Sequence, residues 1–150
     1  MAKHILSVLV QNHSGVLSSV SGLFSRRGFN IDSVASGITE DPDISRITIV
    51  VDGDEYIVDQ VIKQLNKLID VLRIRHMDRQ DSVKRELALI KVNANLENRG
   101  DILRISEIFS SKIVDVTPEA LTIEISGPNE KINALEDMIR EFGIIESVRT

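Results

Sequence analysis

The feature that most constrains this chain is the order in which two kinds of apolar spacing follow one another. Stretches with apolar residues at helical spacing, and stretches that alternate or run together as in strands, occur in the order strand, helix, strand, strand, helix, strand. The same order then occurs a second time. We therefore predict an α+β protein made of two similar units.

The first unit contains six predicted elements. His4–Val10 is an almost continuous apolar run, typical of a central strand that is buried on both faces. Val16–Arg27 carries apolar residues at helical spacing and ends in two arginines followed by Gly28, the usual end of a helix. The other four predicted elements are a strand at Phe29–Ile38, a strand at Arg46–Val51, a helix from Ile57 to Leu68 and a strand at Leu72–His76.

The second unit repeats this order without repeating the residues. Its predicted elements are a strand at Leu87–Val92, a helix at Arg99–Ser111, strands at Ile113–Val116 and Leu121–Ser126, a helix between an Asn129 N-cap and Gly143, and a strand at Ile144–Val148. Both units have the order of the ferredoxin-like βαββαβ fold, in which two helices cover one face of an antiparallel sheet. We predict one domain at residues 1–78, a polar linker at 79–83 and a second domain at 84–150.

Composition narrows the class of function. The 150 residues carry 18 basic and 23 acidic side chains, a net charge of −5, and neither half is basic, so we expect no nucleic-acid partner. No run of 18 apolar residues predicts a membrane span, and the absence of cysteine excludes disulfides and thiol chemistry. Residues 1–7 lack the apolar segment of a secretory signal, so we expect a cytoplasmic protein with a small-molecule or protein partner.

The sequence contains no familiar catalytic or metal-binding motif. Phosphate-binding glycine loops, the serine hydrolase motif and the His-Glu-x-x-His zinc motif are all absent. His4, His13 and His76 lie on three separate predicted elements, with no second titratable partner at motif spacing. Asp52–Glu55 is acidic but lacks the later ligands of a calcium loop, and the start of a helix explains its charge. We expect no catalytic residue and no metal ligand in this chain.

One loop has the properties of a binding site. Gln11–Leu17 joins the first strand to the first helix, so free backbone N–H groups of residues 15–17 would point out of the positive end of that helix. Gly15 has no Cβ and lets a ligand approach the backbone, which suits a carboxylate. Asn12 can offer an oxygen to an ammonium group or an N–H to a carboxylate. The same loop also suits a simpler role, in which Asn12 or Ser14 only caps the helix.

The stretch Asn12–Leu17, at the first strand-to-helix junction of a βαββαβ unit, resembles the loop of ACT domains, small modules that bind amino acids and regulate enzymes. Over nearly the whole chain, the sequence resembles the small regulatory subunits of acetolactate synthase, an enzyme also called acetohydroxyacid synthase. Six stretches in order carry this resemblance: Leu6–Asn12, Gly22–Ile31, Ser45–Ile49, Lys67–Leu72, Arg85–Val92 and Ile108–Thr117.

The resemblance implies a non-catalytic regulatory subunit of branched-chain amino-acid biosynthesis. Members of the family bind a large catalytic subunit, raise its activity and confer feedback inhibition by valine or a related amino acid. Thiamine diphosphate, Mg²⁺ and FAD would be held by that catalytic subunit, and no cofactor by this chain. The implied effector site lies between the ACT domains of a homodimer. Its residues are Asn12, Gly15, Val16 and Leu17 of one chain with Asn30 and Ile31 of the other.

The residues themselves give an independent reason to expect a homodimer. In the usual sheet order of this fold Ile31–Ile38 is an edge strand, and it holds neither the lysine nor the proline that protects edges. An unprotected edge favours pairing with its twofold copy, which would extend the sheet to eight strands and bring Asn12 next to the copy's Asn30. In the alternative, Asp32 alone keeps this edge from pairing.

Three other functions are compatible with the fold. An acylphosphatase shares it but needs an arginine in the first loop, and Gln11–Leu17 has none. An RNA-recognition domain needs aromatic residues on its sheet for base stacking, and the predicted strands offer little beyond Phe29. The third is a free-standing ACT-type amino-acid sensor that has no synthase partner.

Overall fold

The computed structural model describes residues 2–77 and 79–150. The chain divides into two compact units, Met1–Ser82 and Val83–Thr150. Each unit has its own cluster of buried aliphatic side chains. Among the described residues, no helix is both long enough and apolar enough to cross a membrane.

The first unit has the predicted order of elements. They are β1 Lys3–Gln11, α1 Val16–Arg27, β2 Ile31–Ile38, β3 Ile44–Asp52, α2 Glu55–Leu65 and β4 Val71–Met77. The strands form one antiparallel sheet in the order β2-β3-β1-β4, which confirms that β2 lies at an edge. Within the described residues, β2 pairs only with β3, so its outer edge is unpaired.

Alternate residues of β1 build the core of the first unit. Leu6, Val8 and Val10 are fully buried, each contributing about 1.5–3 kcal/mol of burial free energy, while Ile5 and Leu9 on the other face are only partly buried. The predicted burial of β1 on both faces is therefore correct for one face only, because the helices of this fold cover a single side of the sheet. The helices fill that side with Val16, Val20, Leu23, Phe24, Val58, Val61 and Leu65.

Local chemistry sets the ends of both helices in the first unit. α1 ends at Gly28, whose φ of 65° lets its N–H donate back to the carbonyl four residues earlier. α2 begins after Asp54, whose side chain accepts a hydrogen bond of 2.9 Å from the Ile57 N–H. It ends at Leu65, so the prediction that the helix extends to Leu68 is wrong, and Leu68 lies in the turn before β4.

The second unit also has the predicted order. Its elements are β5 Glu86–Asn93, α3 Arg99–Ile108, β6 Lys112–Val116, β7 Ala120–Gly127, α4 Asn129–Ile139 with a short 3-10 helix Arg140–Phe142, and β8 Ile144–Arg149. The antiparallel sheet has the order β6-β7-β5-β8, the same arrangement as in the first unit. Both units are therefore ferredoxin-like, as predicted.

Two helix boundaries in the second unit differ from the prediction. α3 ends at Ile108 rather than Ser111, because Ser110 takes a left-handed conformation with a φ of 54°, which a right-handed helix cannot continue through. Asn129 is the first helical residue of α4, and Pro128 is the N-cap, so the predicted Asn129 cap is wrong. Both differences arise at helix ends, where the backbone conformation of single residues decides at which residue the helix begins or ends.

Candidate functional site

The loop between β1 and α1 places a glycine directly before the helix. Gly15 has a φ of 90° and a ψ of −13°, a conformation that disfavours any side chain. A Cβ at this position would meet nothing within 4 Å, so the space over the Gly15 backbone is open. Val16 is buried in the core at 5% exposure, whereas Leu17 is 48% exposed. One buried apolar residue thus anchors the helix next to an open stretch of backbone.

Asn12 fixes the loop from its other end. Its Nδ2 donates to the Pro42 carbonyl at 2.8 Å, and its backbone N–H donates to the Asp43 carbonyl at 2.8 Å. Both contacts tie Asn12 to the turn between β2 and β3 and away from α1. Within residues 2–77 and 79–150, no side chain caps the start of α1. The capping role that the sequence allows for Asn12 or Ser14 is therefore wrong.

The start of α1 has free hydrogen-bond donors. In the part of the chain that the structure describes, the backbone N–H groups of Val16 and Leu17 have no acceptor, as is usual for a first helical turn. This turn also has no acidic side chain, and the two basic residues Arg26 and Arg27 lie in the last turn. An anion at this end would meet free donors and the positive end of the helix dipole, with no acidic side chain in the turn itself.

His13 ties the same loop to the segment before β4. Its Nε2 lies 2.6 Å from Asp70 Oδ1, and its Nδ1 lies 3.1 Å from the Ser14 carbonyl oxygen. The hydrogen bond to that carbonyl and the contact with Asp70 raise the pKa of His13 above the ordinary value of 6.5, because both favour the protonated ring. Asp70, at 2.6 Å, offsets the charge of the protonated ring.

A cavity of about 290 Å³ opens next to this loop. α1 contributes Val16 and Val20 to its wall, and the segment before β4 contributes Leu68 and Asp70. The contact between His13 and Asp70 therefore joins the loop to one wall of the cavity. Sequence analysis missed this contact, because the two residues are 57 positions apart and no spacing rule relates them.

The histidines have no titratable partner at motif spacing in the sequence, but the fold gives each of them one from a distant segment. His13 contacts Asp70, and His4 Nδ1 lies 3.1 Å from His76 Nε2. His4 and His76 are 72 positions apart in the sequence, but they lie on β1 and β4, which are neighbours in the sheet. Strand pairing thus assembles contacts that separate elements of the sequence do not suggest.

Asn30 and Ile31 lie at the opposite end of the sheet from Asn12. Ile31 pairs with Val51, and Val51 pairs with His4 near the start of β1, whereas Asn12 follows the end of β1. The intervening length of β1 spans about 23 Å at the usual rise per residue. A single protomer therefore brings four of the six predicted effector residues together and leaves these two apart.

The side chain of Asn30 is held within its own protomer. Its Nδ2 donates to Asp52 Oδ2 at 3.4 Å, and its backbone carbonyl accepts from the Asp52 N–H at 3.1 Å. Ile31 is partly buried and packs against the core of the first unit. Both residues thus have defined positions at the beginning of the edge strand β2.

Family comparisons divide the chain in the same way as the fold. Residues 6–73 match the family model described as the AHAS small subunit-like ACT domain, where AHAS is acetohydroxyacid synthase. Residues 85–150 match the model described as the small subunit of acetolactate synthase. The first unit is therefore an ACT domain, and the chain joins it to a second ferredoxin-like unit.

Individual relatives match nearly the whole of this chain. The probable acetolactate synthase small subunit of Archaeoglobus fulgidus is 50% identical over 99% of this chain and 92% of its own length. The acetolactate synthase small subunit of Mycolicibacterium smegmatis is 52% identical over 95% of this chain and 84% of its own length. The crystal structure of the acetolactate synthase small subunit from Thermotoga maritima matches with a TM-score of 0.92 and 39% identity, covering 100% of this chain and 94% of that one. The chain belongs to the acetolactate synthase small-subunit family.

Proposed function

We propose that this chain is a non-catalytic regulatory subunit that binds the catalytic subunit of acetolactate synthase, raises its activity and makes it sensitive to valine or a related branched-chain amino acid. The similarity to small subunits supports the choice of partner. In this proposal thiamine diphosphate, Mg²⁺ and FAD belong to the catalytic subunit, and the complex works in the cytoplasm.

The observation that carries the regulatory role is the start of α1. Free N–H groups within the described residues, an open glycine and the absence of acidic residues in the first turn suit the α-carboxylate of an amino acid. Hydrogen bonds to a charged acceptor contribute about 1.5–3 kcal/mol each, and the helix dipole adds about 0.3–1 kcal/mol. The Nδ2 of Asn12 is bonded to Pro42, so its Oδ1 is the atom that would accept from the α-ammonium group.

A second copy of the chain would complete the site through β2. Every residue of β2 except Ile31 is exposed, including the apolar side chains of Val34 and Ile38. The acidic side chain that could protect this edge, Asp32, forms a 2.5 Å ion pair with Lys3. Because this ion pair offsets its charge, Asp32 is a weak barrier to pairing with a twofold copy.

The register of the sheet supports this assembly. Antiparallel pairing of Ile31–Ile38 with its copy would bring the copy's Asn30 next to Thr39 of the first chain. The Thr39 N–H donates to the Ile44 carbonyl, and Ile44 pairs with Gln11, so Thr39 lies in the row that leads to the loop before α1. Within one chain, the start of β2 lies at the end of the sheet opposite the Asn12 loop. In the dimer, it would lie at the end of the partner's sheet that carries the partner's Asn12 loop. An apolar effector side chain would then lie against Ile31 of the second copy.

We assign the two units different roles. Residues 1–78 bind the amino acid and form the dimer, residues 79–83 link the units, and residues 84–150 serve assembly. The absence of an acidic residue in the first turn of α1, and the presence of Asp101 in that of α3, support this division, because a carboxylate at a helix start repels an anionic ligand.

The proposal is tested by reconstitution with the cognate catalytic subunit, measuring acetolactate formation with and without valine. Ser14→Asp places a carboxylate next to the helix start at a position without a positive φ. Two like charges about 6 Å apart at an effective dielectric of about 40 repel by about 1.4 kcal/mol, so valine should bind about tenfold more weakly. Ser14→Asn is the matched control, with the same size and no charge, and both variants should still activate the enzyme.

Each part of the proposal has its own contradicting result. Equal valine sensitivity of Ser14→Asp and Ser14→Asn would show that the carboxylate does not lie at the start of α1. A chain that binds valine but neither co-purifies with nor activates the catalytic subunit would be a free-standing amino-acid sensor. A strict monomer in sedimentation at micromolar concentration would exclude the pairing of β2 with its copy.

A further inference from the structure

The first unit contains a second cluster of side chains that could bind a ligand, apart from the loop before α1. His4 on β1, His76 on β4 and Glu55 at the start of α2 bring their ligand atoms within 4.8 Å of one another. His4 Nδ1 lies 3.1 Å from His76 Nε2 and 4.0 Å from Glu55 Oε1. None of the six residues predicted for the effector site takes part. We propose that this cluster binds one divalent transition-metal ion of the zinc class.

The two nitrogens have the spacing of ligands on one ion. Zinc–nitrogen bonds of about 2.0–2.1 Å at a tetrahedral angle place two ligand nitrogens about 3.3 Å apart. The observed separation of 3.1 Å between His4 Nδ1 and His76 Nε2 is close to this value. The ring planes are tilted by 53° and their centroids are 5.1 Å apart, so the rings meet through their nitrogen edges and do not stack.

The sheet fixes the two histidines in this arrangement. His76 pairs with Leu6 across β1 and β4, and His4 lies two residues before Leu6, so both histidines project from the same face of neighbouring strands. The side chain of His4 is only 13% exposed, which restricts its rotamers. The fold therefore restricts the ring of His4 before any ion binds, and it places the exposed His76 on the same face of the neighbouring strand.

The third ligand is the adjustable one. Glu55 is the first residue of α2, and its side chain is 78% exposed. Its Oε1 must approach His4 Nδ1 by less than about 1 Å to complete tetrahedral spacing. An exposed glutamate can make this change by rotation of its side chain alone.

The donor set selects the class of ion. Two imidazole nitrogens and one carboxylate suit Zn²⁺ and its first-row neighbours, whereas Mg²⁺ and Ca²⁺ prefer oxygen ligands throughout. A hydrogen bond between the rings accounts for the contact of His4 with His76, and one bound ion would account both for this contact and for the approach of Glu55 to His4. On binding, the ring that carries the N–H between the two histidines would change tautomer, so that both facing nitrogens present a lone pair to the ion, and a water molecule would fill the fourth position.

Binding would join three elements of the first unit. The ion would link β1 and β4, which already pair in the sheet, to the first turn of α2. Since an ion that binds the folded chain and not the unfolded one shifts the equilibrium by mass action, Zn²⁺ should raise the melting temperature. This effect does not depend on valine or on the catalytic subunit.

The test uses the full-length chain, without an affinity tag and freed of metal. Calorimetric titration with Zn²⁺ should give one ion per chain. His76→Gln should weaken this binding by about 100-fold or more, since loss of even an outer partner of a ligand costs about 10–100-fold, and Glu55→Gln by about tenfold. His13→Gln is the matched control, because it removes a histidine of the same unit that lies outside the cluster, and it should bind Zn²⁺ like the unchanged chain.

Circular dichroism of the metal-free variants checks that they fold. If His76→Gln does not fold, the zinc affinity of Glu55→Gln, which changes an exposed side chain, tests the proposal. The absence of saturable Zn²⁺ binding at micromolar concentration would overturn the proposal. So would zinc affinity that is lost in His13→Gln, or that is unchanged in both cluster variants. A saturable site that the cluster variants weaken and the control keeps, with a matching rise in melting temperature, would establish it.

Discussion

The two units start their first helices in different ways, although each leads a central strand through a loop into a helix. The loop before α1 fastens its side chains to other segments, since Asn12 donates to Pro42 and His13 contacts Asp70. The loop before α3, residues 94–98, fastens its side chains to its own backbone. The first loop therefore leaves the helix start free, and the second does not.

The loop before α3 forms a closed set of hydrogen bonds. Asn95 Oδ1 accepts from the backbone N–H groups of Glu97 and Asn98, both at 2.9 Å. Asn98 Oδ1 accepts in turn from the Asn95 N–H at 2.8 Å. Asp101 then adds a negative charge in the first turn of α3. An anionic ligand would find N–H donors that are already bonded, and a like charge, at this end of the second unit.

The difference shows how one topology can leave backbone donors at a helix start free in one unit and bonded in the other. Both sheets have the same strand order, so the fold alone does not distinguish the units. What distinguishes them is where the polar side chains of a short loop find their partners. A loop whose side chains bond to distant segments keeps backbone donors available, whereas a loop that bonds to itself uses the donors that lead into its helix.

The largest effect on this comparison should come from matched glycine substitutions at the two helix starts. Gly15→Ala forces an alanine into a φ of 90° and should destabilise the chain by about 1–2 kcal/mol. Gly100 lies inside α3 without a positive φ and has open space for a Cβ, so Gly100→Ala should stabilise by about 0.5–1 kcal/mol. Urea denaturation midpoints should move in opposite directions, and shifts of the same sign would contradict the difference between the two loops.

An intermediate effect is expected when the asparagine of each loop is removed. Asn95→Ala breaks the closed set of hydrogen bonds and should cost about 1 kcal/mol of stability, with valine inhibition unchanged. Asn12→Ala loses one hydrogen bond, costing about 0.5–1.5 kcal/mol, and should also weaken valine inhibition. Denaturation and inhibition curves of both variants measure the two effects, and a loss of valine inhibition in Asn95→Ala would reverse the assignment of the units.

The smallest effect is the pH dependence of the first loop, where His13 contacts Asp70. Because the folded state raises the pKa of His13, its contribution to stability is fully present below pH 6.5 and is lost as pH rises through the raised value. The stability difference between the unchanged chain and His13→Gln should therefore be present below pH 6.5 and shrink as pH rises above that value. Asp70→Asn is the control, because it removes the carboxylate partner of His13. In that background the stability difference caused by His13→Gln should be smaller. A stability difference that grows with pH would contradict the contact.

Local patterns in the sequence were sufficient for the order of the elements. The apolar run of β1, the helical spacing of α1 and the stop at Gly28 depend on side-chain period and on the conformational freedom of one glycine. These properties are decided by residues that are close in sequence, so they can be read without knowing what packs against them. The same reasoning placed residues 12–17 together at the start of a helix.

Exact helix ends were harder to predict for a related reason. The sequence around Ser111 and Asn129 is compatible with a helix that begins or ends a residue or more away. The choice depends on the conformation of Ser110 and on whether Asn129 enters the first turn. A residue type restricts these conformations only weakly unless it is glycine or proline.

Only the tertiary structure decided which polar side chains meet. His4 is 72 positions from His76, and strand pairing brings the two within hydrogen-bond distance. His13 is 57 positions from Asp70, and closure of the turn before β4 brings this pair together. Asn12 could cap α1 or bond elsewhere, and the turn before β3 supplied the competing acceptor. Sequence spacing predicts the element to which a side chain belongs. The partners of that side chain come from segments that become neighbours only in the folded sheet. These contacts therefore follow from strand register and not from local pattern.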